Sequence, residues 1–139
     1  MNEENKYFGY KLASMQDRFF ATVIETIILA LPGLVFTGDK GAMGEIIGFA
    51  GEIILSAILG AIFYKMWSGN LGHKIMGLKV ISSVDGADQN TPLTGAVREG
   101  LKNLFGIVLM PIIWLLWDAD SQNLYDKVVK TYVVKKKDD

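Results

Sequence analysis

Two long apolar stretches, residues 19–36 and 46–67, each carry one carboxylate near the middle, Glu25 and Glu52. An ionised group at bilayer depth costs roughly 2.5–3.5 kcal/mol on insertion scales, so such acids sit against protein or water rather than lipid. A water-soluble core in a chain of 139 residues needs no apolar runs of this length. The pattern therefore points to membrane helices with a polar site between them.

The remaining composition narrows the function classes. The length suits one domain, residues 1–139. The net charge of −1 gives no basic balance for nucleic acid. Cysteine is absent, which excludes disulfides, thiolate metal sites and cysteine nucleophiles. The polar segment 1–12 does not read as the basic region of a cleaved leader, so stretch 19–36 is expected to persist as an anchor. No glycine pattern for a dinucleotide, no catalytic triad and no metal-ligand set is visible, so neither an enzyme nor a cofactor is expected.

Residues 19–36 are close to the shortest helix that spans a bilayer, with Asp17 favourable at its start and Pro32-Gly33 ending or kinking it. Residues 37–44 read as a loop. Residues 46–67 form the clearer span, closed by Tyr64, Lys65 and Trp67 as an aromatic and basic interface belt. Gly44, Gly48, Glu52, Ser56 and Gly60 recur every four residues along it. Small residues allow close helix approach in lipid, so this stripe is expected to face protein and shelter Glu52. Arg18 and Glu25, two turns apart, share a helix face.

Residues 68–103 read as a cytoplasmic connection. Gly69, Gly72, Lys74 and Gly77 mark a tight interfacial turn, 78–81 a strand, and Thr94 the cap of an amphipathic helix. Arg98 and Lys102 lie on one side of that helix, with Val97, Leu101, Leu104 and Phe105 on the other, as in a helix lying at the interface. The third apolar stretch, 104–117, is interrupted by Pro111 and reads either as a kinked span or as a re-entrant hairpin. The segments on both sides of it are basic, and strand 131–134 in the tail needs strand 78–81 as its partner. Both points favour re-entry. The expected fold is an all-α membrane protein with two transmembrane helices, a Pro-interrupted re-entrant (or third spanning) helix, and a small cytoplasmic two-stranded β element. Residues 118–139 supply its second strand and the basic tail, and both termini are expected in the cytoplasm.

The segments DRFFATVIETIIL, SGNLGHKIMGLKVISSVDG and QNLYDKVVKTYVV resemble the RDD family of small, mostly bacterial membrane proteins over residues 13–134. That family is named for an arginine at the start of its first helix, an aspartate within the helix, and a second aspartate near the C-terminus. Arg18 and Asp126 match the first and last, while Glu25 stands where the first aspartate is usual. The Ala-Gly pair often seen before the closing Thr is Val129-Lys130 here. The resemblance implies a bacterial inner membrane location and a role in transport, with cation/proton antiport suggested for some members.

The candidate site residues are Arg18, Glu25, Glu52 and Asp126, each weighed against a structural role. Glu25 binds a proton or cation, or forms a pair with Arg18. Glu52 has no basic residue on its stripe and serves transport or an oligomer contact. Arg18 either snorkels to headgroups or turns inward to Glu25 or Asp126. Asp126 caps a turn or pairs with Arg18 or Lys74. His73 is expected in solvent, and Asp118 and Asp120 in a solvated turn. Two functions follow. One is a homo-oligomeric transporter, packed through Gly44, Gly48, Ser56 and Gly60, that moves a monovalent cation and a proton. The other is a non-transporting membrane module that binds a partner protein or lipid headgroup.

Overall fold

A computed structural model describes residues 7–30, 41–106, 118, 120 and 122–136. The order is α1 (Met15–Ala30), α2 (Gly41–Trp67), α3 (Leu71–Ile75), β1 (Leu78–Ser82), α4 (Pro92–Gly106), α5 (Leu124–Val128) and β2 (Thr131–Lys135).

Helix α1 starts at a capping box. Asp17 accepts from the Ser14 N–H at 3.0 Å and from the Ser14 hydroxyl at 2.7 Å, while the Asp17 N–H donates to Ser14 Oγ at 3.1 Å. These bonds satisfy donors that a helix start otherwise leaves open. The later part of stretch 19–36, with Pro32-Gly33, lies outside the described residues.

Helix α2 has 27 residues, about 40 Å of axis. It begins at Gly41, inside the expected loop: Gly41 takes a positive φ of 59°, which glycine adopts without strain, and Gly44 costs only about 1 kcal/mol within the helix that follows. It is the one described helix long and apolar enough to cross a membrane. Met43, Ile46, Ile47, Ile54, Leu55, Ile58, Ile62 and Met66 are all exposed along it. A soluble core helix of this composition would be buried, so its exposed apolar surface is consistent with lipid. Phe63 and Trp67 stack at 5.0 Å at its end.

Beyond α2, β1 and β2 pair antiparallel, with Leu78 opposite Lys135 and Ser82 opposite Thr131. The expected strand partnership is therefore present. The segment before α1 joins this sheet through Ala13 N–H to Val133 O at 3.0 Å and a bridge from Leu12 to Val134. Leu78, Val80 and Val133 bury their side chains against Ala13, Ala21 and Tyr64. The sheet thus holds both described ends of the chain beside the last turn of α2.

Helix α4 does not lie flat at an interface. Tyr64 meets Gly95, and the facing atoms of Gly60 and Gly95 are so close that a Cβ on either would fall within 2.5 Å of the other's carbonyl oxygen. Ala57 faces Gly100, and Asn103 donates to Ser56 Oγ at 2.5 Å. Rising numbers on α4 meet falling numbers on α2, so the two run antiparallel. From Trp67 back to Ser56 is about 16 Å along the axis. The amphipathic pattern of α4 therefore reflects an inward polar face, and its glycine admits the neighbouring backbone. Residues 107–117, which carry the question of spanning against re-entry, lie outside the described residues.

The small-residue stripe divides in two. Ser56 and Gly60 pack on α4, while Gly48 and Glu52 are exposed and Gly44 is half-buried. Among the described residues, α4 covers only the C-terminal half of the stripe that is expected to face protein.

Gly60→Ala is expected to force α2 and α4 apart and cost about 1–3 kcal/mol, the usual range for overpacking. Gly100→Ala, whose Cβ would stand 3.8 Å from Ala57, should be tolerated. Thermal unfolding of the two variants in detergent checks the contrast; equal midpoints would contradict the packing described.

Candidate functional site

Three cations and three carboxylates meet where α1, α2, α3, α4 and α5 converge: Arg18, Arg98 and Lys102 with Glu25, Glu99 and Asp126. Arg18, Glu25, Arg98, Glu99 and Asp126 are each at most 5% exposed. Charges withdrawn from water to this degree must be paired.

The first half of the cluster centres on Asp126. Arg18 donates through Nη2 to Asp126 Oδ2, and Arg98 donates through Nε to Asp126 Oδ1 at 2.7 Å. The Asn123 N–H donates to Oδ2 at 3.0 Å, so the carboxylate also caps α5. Arg98 lies over the Tyr125 ring, its guanidinium carbon 4.9 Å from the centroid. Burial acts to raise the Asp126 carboxyl, but Arg98, Arg18 and the Asn123 N–H outweigh it and hold it below the ordinary carboxylate range. It is ionised at neutral pH.

The second half centres on Lys102. Its ammonium pairs with Glu25 and, at 2.5 Å, with Glu99. Asn70 Nδ2 donates to Glu25 at 2.8 Å and stands 3.4 Å from both Glu99 oxygens. The halves join where Arg98 Nη1 donates to Glu99 at 3.0 Å and to the Tyr64 hydroxyl at 2.7 Å. Tyr64 in turn donates to Glu99 at 3.3 Å. The whole cluster is neutral but polarised. Two guanidiniums share one carboxylate at the Asp126 end, and two carboxylates share one ammonium at the Lys102 end.

Helix α3 fixes Asn70. The Asn70 side chain accepts from the His73 N–H at 2.8 Å, and His73 Nδ1 accepts from the Asn70 N–H at 3.3 Å. That capping box turns the amide toward the carboxylates. A Cβ on Gly72 would lie 1.9 Å from the Ala21 carbonyl oxygen, so only glycine lets α3 rest against α1 at the level of the cluster. Gly69 is buried beside His73, and Gly77 takes a positive φ of 65° before β1. Lys74 is exposed and does not reach Asp126.

Several sequence expectations change at this point. Of the two inward partners open to Arg18, the structure shows Asp126, and Glu25 pairs with Lys102. His73 is buried, not in solvent. Its imidazole is held well below its ordinary value, first by burial and then by repulsion from Arg98, Lys102 and Arg18. Asp118 is no loose turn acid: it accepts from the N–H groups of Asp120 and Gln122 and pairs with Lys127. Glu52 stays outside the cluster, exposed on α2.

Sequence reasoning missed Asn70, Glu99 and the inward turn of Arg98 and Lys102. The spacing of Arg98 and Lys102 was visible, but their direction depends on the Gly60–Gly95 approach, which no single segment encodes.

Two variants probe the cluster. Asp126→Ala leaves two buried guanidiniums without their shared carboxylate and should cost about 3–5 kcal/mol in unfolding measurements. For His73 the sign of the pH effect is fixed by protonation of the unfolded chain. Unfolded histidine takes up a proton below about pH 6.5 while the folded imidazole resists, so stability is full above that pH and declines below it. The decline reaches about 1.4 kcal/mol at pH 5.5. His73→Gln keeps an acceptor for the Asn70 N–H and should remove this decline. An unchanged pH profile in His73→Gln would assign the decline to another group.

The model of the RDD family matches residues 12–130. No curated protein and no solved structure matches the chain.

Proposed function

This chain belongs to the RDD family, and from that premise we propose a small transporter of a bacterial inner membrane that exchanges a monovalent cation for a proton. The site is the acid pair Glu25 and Glu99 with Lys102 between them. The observation that carries the reading is the shared ammonium. Two buried carboxylates share one lysine, so the Lys102 end holds one negative charge beyond its ammonium, which Arg98 offsets only from the Glu99 side and which one proton or one monovalent cation can take up beside Glu25. Competition for that single charge is the chemical basis of exchange. Asn70 steadies both acids, and Tyr64 and Arg98 tie them to the Asp126 end.

Arg18 and Asp126 act as positioning residues, holding α1 and α5 around the acid pair. The reading includes multiple passes through the membrane, cytoplasmic termini and a homo-oligomer. Exposed Glu52 and Gly48 on apolar α2 support the last element, since a second copy would remove that carboxylate from lipid.

A second reading rests on a different observation. Among the described residues, every fully buried side-chain nitrogen and oxygen has a hydrogen-bond partner. A fully satisfied network also suits a fixed lock in a non-transporting membrane scaffold.

Purified protein in proteoliposomes separates the two. Exchange predicts proton flux that depends on an added monovalent cation and drops to background in Glu25→Gln. Flux unaffected by that substitution would reject the acid-pair site. A wild-type protein with no flux, whose oligomer is lost in Glu52→Ala, would establish the scaffold instead.

A further inference from the structure

A separate basic cavity of about 620 Å³ opens beside the last turn of α2. Lys65, Lys74, Lys79 and Lys136 line it, with Trp67 and Tyr10 contributing aromatic wall. One acid, Asp88, lies there, and Lys79 pairs with it at 2.6 Å. Among the described residues, Lys65, Lys74 and Lys136 form no ion pair, so three ammonium charges face one cavity uncompensated. None of these lysines belongs to the charge cluster.

The position of the cavity matters as much as its charge. Lys65 and Trp67 close the most apolar helix of the chain, and Met66 between them is 65% exposed. Aromatic and basic residues at the end of a membrane helix lie at the headgroup level. Trp67 is held there, its indole N–H donating to the Asn70 carbonyl at 3.2 Å and its ring lying 5.8 Å from the Lys74 ammonium. Lys79 is held by Asp88 and by the Tyr10 hydroxyl at 3.1 Å. The Lys136 N–H bonds Gly77 O at 2.9 Å, anchoring the end of β2 at the rim. The cavity is a built feature, assembled from α2, α3, the sheet and the segment before α1.

We propose that this cavity binds the headgroup of an anionic phospholipid of the adjacent leaflet. The lysines hold the phosphate, and exposed Met66 and the end of α2 receive the start of an acyl chain. Lipid is favoured over a soluble phosphate because the rim is continuous with the apolar α2 surface. A lipid held there would contact α2, α3 and the sheet at once.

The test is binding of phosphatidylglycerol to the detergent-purified protein by native mass spectrometry, against phosphatidylcholine and against inorganic phosphate. Preferential retention of phosphatidylglycerol is expected. Lys74→Gln combined with Lys136→Gln should weaken it at least about tenfold, since each lysine near an anionic surface is worth about 1 kcal/mol. Lys127→Gln combined with Lys130→Asn removes the same charge. Lys130 precedes the far end of β2, about 20 Å along the strand from Lys136, so this pair should leave binding nearly unchanged. Equal loss in both double variants would reduce the effect to net charge and overturn the proposal. Equal retention of phosphatidylglycerol and phosphatidylcholine would do so as well. Inorganic phosphate that displaces the lipid at equal concentration would assign the cavity to a soluble anion, against the lipid.

Discussion

Asp126 is the residue on which the rest of the architecture depends. One fully buried carboxylate receives Arg18 from the start of α1, Arg98 from α4 and the backbone N–H that opens α5. These elements are far apart in sequence, and charge satisfaction brings them to one point. A buried ion pair gains little over a well-packed apolar contact, because desolvation offsets most of the Coulomb attraction. Its value lies in what it forbids. Any arrangement that separates α1 from α4 or α5 strands a charge away from water.

Close packing makes the cluster reachable. Gly60 and Gly95 let α4 approach α2, and Gly72 lets α3 rest on α1. With larger residues at these points the helices would stand farther apart, and Arg98, Lys102 and Asn70 could not reach their partners. The sheet contributes by holding the segment before α1 beside β2, which places Arg18 over α5. Backbone geometry and electrostatics are therefore coupled, and the polarity of the cluster, cationic at Asp126 and anionic at Lys102, is a product of both.

Much of this was legible in the residues themselves. The apolar run that became α2, the strand pair and the importance of Arg18, Glu25 and Asp126 follow from local pattern and from the family motifs. Other features were misread for one reason. Arg98 and Lys102 on an amphipathic helix look the same whether that face meets headgroups or buried acids. His73 in a glycine-rich segment looks solvent-exposed until Gly72 is seen against Ala21. Arg18 could turn to Glu25 on its own helix face or to distant Asp126, and only the fold selects Asp126 and gives Glu25 to Lys102.

The sequence by itself determined the apolar length of α2, the alternation of the strands, and the presence of acids that demand partners. These properties depend on neighbours within a few residues, where periodicity and hydrogen-bonding capacity suffice. Only the tertiary structure decided which cation serves which acid, that Glu52 lies apart from the cluster, and that four lysines from separate elements line one cavity. Those outcomes turn on distances between segments remote in the chain, and helix approach at the glycines sets those distances.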